Sequence, residues 1–141
     1  MKTLLGTLIL LFAIQTASTA QCSINFEKEY KDKLEGAYLK DFEVKNRPDS
    51  DGITIFSVIL REGTKYIIYV TNPSVPITDV KLTVTCNEQY VNLKRTVNSA
   101  EKYAAYSVKI KETGAYNLYI EFRDKSIKSC VTVALYLEDI E

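Results

Sequence analysis

The sequence predicts an all-β protein, a jelly-roll-like antiparallel sandwich of two sheets with about nine strands. Two observations favour this class. Residues 53–137 are a succession of short runs rich in Val, Ile, Thr, Tyr and Phe, separated by turn-forming residues. Apolar and polar side chains alternate along these runs, as they do in strands with one buried face. So many strands leave too many edges for one open sheet, which favours two packed sheets.

The first two strands are the least regular. Phe26, Tyr30 and Leu34 are four residues apart, as on a helix, whereas the residues after Gly36 suit a strand. We predict strands at 22–26 and 38–45. Seven more strands are predicted, at 53–60, 65–71, 78–86, 90–97, 103–111, 115–122 and 128–137.

Two breaks between the predicted strands have a clear chemical basis. The four residues 61–64, Arg-Glu-Gly-Thr, predict a hairpin that joins the strands at 53–60 and 65–71. Pro73 and Pro76 end the second of these strands, because proline supplies no N–H donor to a β-ladder.

The N-terminus has the pattern of a secretory signal peptide. Lys2 precedes an apolar run at residues 4–14, and small residues follow at 17–20. We predict a signal peptide at 1–20 and a single β-sandwich domain at 21–141, in a protein secreted to the periplasm or the extracellular space. No later segment approaches the roughly 18 apolar residues of a spanning helix, so no membrane span is expected.

Charge and composition argue against several functions. Loss of Lys2 with the signal peptide leaves 17 of the 18 basic side chains, against 18 acidic ones. The two signs are interspersed, so nucleic-acid binding is not expected. The sequence has no His, which excludes Ser-His-Asp and Cys-His catalysis and zinc sites built on imidazole. We expect neither enzyme activity nor a cofactor.

Asp49 and Asp51 form the one candidate for metal binding. Two carboxylates spaced one residue apart before Gly52 could offer oxygen ligands to Ca²⁺. The same residues also make an ordinary solvated turn, and no second acidic cluster accompanies them. We predict no metal site and keep calcium binding at Asp49 and Asp51 as the alternative.

Three cysteines, Cys22, Cys86 and Cys130, allow one disulfide and one remaining thiol in an exported protein. Cys22 and Cys86 share the alternation phase of the apolar residues around them, whereas Cys130 is out of phase with those that follow it. We therefore predict a disulfide between Cys22 and Cys86. The other two pairings, and a disulfide between copies of the chain, remain as alternatives.

Tyrosine is the most distinctive residue type, with ten copies and no Trp. Alternation directs Tyr66, Tyr106 and Tyr116 toward the core. The candidates for ligand or partner binding are the tyrosines on the opposite face, Tyr69, Tyr103, Tyr119 and Tyr136. If several of these share a sheet, they form an aromatic platform. The alternative is that these rings only pair across strands.

The C-terminal third resembles the end of a GOLD-type β-sandwich domain. The likeness consists of a strand at 106–111, a Gly-Ala-Tyr turn at 114–116, Phe122, Ser126 and a last strand at 128–137. The small jelly-roll domains at the C-termini of bacterial secreted peptidases are similar. The resemblance implies a sandwich and a non-catalytic interaction role. It does not imply cargo sorting, because GOLD-domain cargo receptors have a Cys where this chain has Tyr119 and Ile120.

These observations together predict a secreted, non-catalytic β-sandwich module that binds a protein or carbohydrate ligand. One alternative is a carbohydrate-binding module that uses surface tyrosines. Another is a structural component of the cell surface, in which exposed strand edges or a free thiol join copies of the chain.

Overall fold

The computed structural model describes residues 26–46, 52–71, 80–123 and 130–138. The predicted signal peptide, Cys22, Asp49 and Asp51 lie outside the described residues. One short helix and nine strands are present in these ranges. In chain order they are α1 (Phe26–Glu29), β1 (Ala37–Lys45), β2 (Ile53–Leu60), β3 (Lys65–Thr71), β4 (Val80–Cys86), β5 (Gln89–Tyr90), β6 (Lys94–Asn98), β7 (Tyr103–Lys109), β8 (Gly114–Phe122) and β9 (Cys130–Leu137).

The nine strands form two antiparallel sheets. The five-stranded sheet has the order β1-β9-β3-β7-β6, and the four-stranded sheet has the order β2-β8-β4-β5. The first four strands alternate between the two sheets, as in a jelly roll. The predicted all-β sandwich of about nine strands is therefore confirmed. Within the described ranges, no helix is long and apolar enough to cross a membrane.

The core lies between the sheets and is built from every second residue of the strands. In β8, the alternate residues from Tyr116 to Phe122 are at most 4% exposed. Tyr66 and Tyr106 belong to the same buried cluster, as predicted. Burying each side chain of this size stabilises the fold by about 1.5–3 kcal/mol, so this alternation fixes which residues face outward.

The connection between β2 and β3 is not the predicted hairpin. β2 pairs with β8, whereas β3 pairs with β7 and β9, so residues 61–64 cross from one sheet to the other. The N–H of Gly63 donates to the carbonyl of Ile110 at 2.8 Å, and the N–H of Ile110 donates to the carbonyl of Thr64 at 3.0 Å. These bonds join the crossing to the connection between β7 and β8. The prediction is wrong because the long-range packing of the apolar faces, and not the turn, selects the ladder partners.

Two further strand predictions are wrong. The strand predicted at 90–97 is divided, with β5 in the four-stranded sheet and β6 in the five-stranded sheet. Of the strand predicted at 22–26, only Phe26 lies within the described residues, and it begins α1. The helical spacing of Phe26, Tyr30 and Leu34 prevails here, because all three side chains are buried in one cluster.

That cluster covers the outer face of the five-stranded sheet. Residues 26–36, called the cover segment below, place Phe26, Tyr30 and Leu34 against Tyr69 of β3 and Tyr136 of β9. The centre of the five-stranded sheet is therefore apolar and buried on both faces, which explains why six successive residues of β9, 131–136, are all buried. Most residues of its edge strands, β1 and β6, are exposed.

Candidate functional site

The tyrosines predicted to face away from the core lie on two different outer faces. Tyr69, Tyr103 and Tyr136 belong to the five-stranded sheet, and Tyr119 belongs to the four-stranded sheet. The cover segment buries Tyr69 and Tyr136, which are 3% and 1% exposed. These two rings are not surface residues, which corrects the expectation of an open aromatic platform on this sheet.

The buried tyrosines hold the cover segment in place. The rings of Tyr69 and Tyr136 meet edge to face with centroids 5.0 Å apart, and Tyr103 packs against Tyr69 at 5.6 Å. The Tyr136 hydroxyl donates to the carbonyl of Lys31 at 2.7 Å, and the Tyr69 hydroxyl donates to the carbonyl of Glu35 at 2.9 Å. Burial raises the pKa of Tyr136 to about 12. Burial and the Glu35 carboxylate also raise the pKa of Tyr69.

The outer face of the four-stranded sheet is open around Tyr119. Ile55 of β2 and Thr83 of β4 are the ladder partners of Tyr119 on its two sides. An open groove of about 630 Å³, called the Tyr119 groove below, lies over this part of the sheet. Its lining includes Tyr119, Tyr90, Thr83, Thr85, Lys81, Glu88 and Glu121.

The Tyr119 groove combines aromatic rings with polar groups. Tyr90 of β5 is 81% exposed, and Lys81 lies opposite Glu121 in the ladder between β4 and β8. On the same sheet, the hydroxyl of Ser57 donates to the side-chain oxygen of Asn117 at 2.6 Å. Such a face can stack an aromatic ring on an apolar surface of a ligand while its polar neighbours donate and accept hydrogen bonds.

Glu88 is held in an unusual backbone conformation where it lines the groove. Because Cys86 pairs with Gln89, β4 and β5 are joined by a two-residue turn. Its residues, Asn87 and Glu88, have φ angles of 51° and 65°. Turns of this kind favour Asn followed by Gly, since most other side chains are strained at positive φ. Backbone strain of this sort is concentrated at functional sites in proteins.

A second cavity, of about 460 Å³, lies beside Cys86 and Tyr116. The Tyr116 hydroxyl donates to the carbonyl of Glu112, and burial together with the adjacent Cys86 raises the pKa of Tyr116. Cys86 is a free cysteine, so it does not form the predicted disulfide with Cys22. The reason is its position, because Cys86 packs against the core between the sheets. The chain after Cys22 instead enters the described structure at Phe26, on the outside of the five-stranded sheet.

Two acidic residues, Glu121 and Glu88, line the Tyr119 groove from different ends of β4. Glu121 lies opposite Lys81 near the start of β4, whereas Glu88 follows the last residue of that strand, Cys86. At about 3.3 Å per residue, positions 81 and 86 are roughly 16 Å apart along the backbone. Elsewhere in the described ranges, no group of three or more Cys, Asp or Glu side chains could hold a metal ion.

Neither Tyr90 nor Glu88 was predicted from the sequence as a site residue. Asn87 could have predicted them, because Asn suits the first position of a two-residue turn between paired strands. That turn would have placed Tyr90 opposite Thr85, on the outer face. The sequence matches no known family model and no curated protein. The function is therefore inferred from the geometry of the fold and from the residue pattern of the sequence.

Proposed function

We propose that this protein is a non-catalytic binding module whose ligand lies in the Tyr119 groove. The observation that carries the proposal is the difference between the two outer faces. The cover segment buries one face, whereas the other keeps Tyr119 and Tyr90 at an open groove. Glu88 adds support, because this residue of the strained turn, at a φ of 65°, also lines the groove.

Carbohydrate is the ligand class that suits the groove best. A sugar ring has an apolar C–H face that can lie on a tyrosine ring, and hydroxyls that both donate and accept hydrogen bonds. Around Tyr119, Thr83 and Thr85 offer hydroxyls, Lys81 offers a donor and Glu121 offers an acceptor. The groove is also open, so it suits a chain of sugar units better than an enclosed small molecule.

A role without catalysis is supported by the absence of His from the sequence, since His is the most frequent general acid or base in enzymes. The resemblance of the C-terminal third to GOLD-type domains favours the same interaction role.

The test is retention on insoluble polysaccharides and glycan arrays. We expect Tyr119→Ala to weaken retention about tenfold, equivalent to about 1.4 kcal/mol, because the stacking surface is lost. Tyr119→Phe keeps the ring and should retain most of the affinity. Tyr90→Ala should also weaken binding.

The matched control is Tyr38→Ala, which removes a tyrosine from the outer face of the five-stranded sheet, at a residue 36% exposed. If the folded Tyr38→Ala variant binds as the wild type does, the effect of Tyr119→Ala is specific to the groove. A folded Tyr119→Ala variant with unchanged retention would contradict the proposal.

We also propose that the protein is exported, on the basis of the signal-peptide pattern at residues 1–20. N-terminal sequencing of the protein recovered from outside the cytoplasm should begin at Gln21. Recovery of the uncleaved chain inside the cell would contradict export.

With Cys86 free, we propose that the disulfide of the exported protein joins Cys22 to Cys130. Cys130 begins β9 in the same alternation phase as Tyr136, whose ring the cover segment buries. Cys22 precedes the cover segment by four residues. Non-reduced peptide mapping should give a linked Cys22–Cys130 peptide and an alkylated Cys86, and Cys86 in a disulfide would contradict this pairing.

A further inference from the structure

Three of the four edge strands of the sandwich are protected against pairing with another chain. The pairing of β1 is irregular between Tyr38 and Lys40, and this strand carries four charged residues. β6 begins with Lys94 and Arg95, and β5 has only two residues. Bulges, charges and short length are the usual ways in which natural sheets prevent edge-to-edge association.

The fourth edge strand, β2, has none of these features. Its eight residues, ITIFSVIL, include no charged residue, proline or glycine. The ladder with β8 runs without interruption from the pair Ile53–Glu121 to the pair Leu60–Gly114. In the part of the chain that the structure describes, no strand pairs with the other side of β2.

The side chains of β2 make this edge both fixed and apolar. On the inner face, Phe56 stacks on Phe42 of β1 with ring centroids 4.3 Å apart, which anchors the strand in the core. On the outer face, Ile53, Ile55 and Ile59 are 37%, 54% and 68% exposed. A regular strand with an apolar outer row and an unpaired edge is a template for another strand.

We propose that β2 pairs antiparallel with β2 of a second copy of this chain, so that two four-stranded sheets become one eight-stranded sheet. A two-fold axis perpendicular to the sheet sets residues of the same face opposite one another. Pairing centred on Phe56 sets Ile53 opposite Ile59, and pairing centred on Ser57 sets Ile55 opposite Ile59. In both registers isoleucine meets isoleucine, and like charges are not opposed. This self-complementarity favours a second copy over a different protein.

β1, which packs over β2 in the other sheet, also leaves room for a second copy. The stacking of Phe42 on Phe56 places β1 over β2. The four charged residues of β1 are two basic and two acidic, so two β1 strands can approach without net repulsion. The same axis places both Tyr119 grooves on one face of the joined sheet. Formation of the dimer does not depend on the proposed ligand.

The molar mass of the processed protein, measured by light scattering after size exclusion over a wide range of concentration, tests this inference. We expect twice the monomer mass for the wild type. Ile55→Lys places a charge on the outer row of the edge and should give the monomer mass. Val97→Lys adds the same charge to β6, at a residue 37% exposed, and should stay dimeric. Tyr119→Ala should also stay dimeric, which separates this test from that of the ligand groove.

A wild type that is monomeric at every concentration would overturn the proposal. Hydrogen exchange at the β2 amides that point away from β8 would then give the reason. Protection of these amides would mean that the chain covers its own edge, and fast exchange would leave the edge to a different partner. A dimer that survives Ile55→Lys would overturn it equally. If circular dichroism shows that Ile55→Lys does not fold, Ile59→Lys, at a residue 68% exposed, takes its place.

Discussion

Glu88 shows how a single backbone angle connects stability to binding. At a φ of 65°, its backbone is in the left-handed region, where a side chain other than Asn or Asp is strained by about 1 kcal/mol relative to glycine. The strained turn carries a carboxylate that lines the Tyr119 groove. The free energy of unfolding and the affinity for a ligand should therefore respond in opposite directions to a change at this residue.

We predict that Glu88→Gly raises the free energy of unfolding by up to about 1 kcal/mol, because glycine adopts this φ without strain. The same change should weaken ligand retention, because the groove loses a hydrogen-bond acceptor. Urea unfolding and polysaccharide retention measure the two effects on one variant.

Asn87→Gly is the matched control for this prediction. It changes the neighbouring residue of the same turn, but Asn87 does not line the Tyr119 groove. We expect a smaller gain in stability, since Asn tolerates positive φ, and unchanged retention. Equal loss of retention in both variants would mean that the turn conformation, and not the Glu88 carboxylate, affects binding.

At the scale of the element, the turn from the cover segment into β1 depends on Gly36. Its φ is +99°, and a Cβ at this position would be 2.6 Å from the carbonyl oxygen of Leu137. Gly63, in the crossing between β2 and β3, has a φ of +79° and no atom within 4 Å of an added Cβ. A side chain at Gly63 would therefore meet backbone strain alone, whereas a side chain at Gly36 would meet both backbone strain and a steric clash.

We predict that Gly63→Ala lowers the free energy of unfolding by about 1–2 kcal/mol, through strain alone. Gly36→Ala should lower it further, because the Leu137 carbonyl must move out of its ladder as well. Urea unfolding of the two variants, side by side, gives the comparison. Equal losses would show that β9 yields to the added methyl group without penalty.

The sequence was sufficient to locate most strands but not to assign them to sheets. β2 and β3 have the predicted bounds, because alternation is a local property of the residues in each strand. The hairpin expected between them is wrong, because residues 61–64 fit a turn equally well whether the chain returns to the same sheet or crosses to the other. Strand partners depend on contacts that are distant in sequence, and no short segment carries that information.

Only part of the candidate site could be predicted, because coverage of a sheet by another segment also depends on contacts that are distant in sequence. Alternation was sufficient to separate inward from outward tyrosines, and Tyr119 lies in an open groove as that pattern allows. Alternation does not show whether another segment covers an outer face. The helical spacing of Phe26, Tyr30 and Leu34 was the available signal, since an apolar stripe needs a surface to pack on.

At the scale of the whole molecule, the cover segment makes the fold sensitive to alkaline pH. The Tyr69 and Tyr136 hydroxyls are buried between the segment and the sheet, and the pKa of Tyr136 is raised to about 12. In the unfolded chain a tyrosine loses its proton near pH 10. Folded protein therefore binds more protons than unfolded protein between about pH 10 and 12, and stability must fall as the pH rises through that range.

We predict that the free energy of unfolding changes little from neutral pH to about pH 10 and decreases between about pH 10 and 12. Tyr136→Phe should lower stability at neutral pH by about 1 kcal/mol, because the hydrogen bond to Lys31 is lost, and should make the alkaline decrease shallower. Urea unfolding at a series of pH values measures both effects. Tyr90→Phe, which removes a hydroxyl from an exposed ring, serves as the control, and an alkaline decrease equally steep in Tyr136→Phe and wild type would contradict the prediction.

The position of β9 has a consequence for how the protein can be made. β9 is the last of the described strands along the chain, yet it lies between β1 and β3. Ala37 pairs with Leu137, and within the described strands β1 has no other neighbour. A nascent chain that has not yet emerged past residue 130 cannot pair β1 in the sheet, so the five-stranded sheet is completed only after β9 has been synthesised. Such distant pairings also form slowly, so the five-stranded sheet closes late, after its other strands have had time to form local contacts.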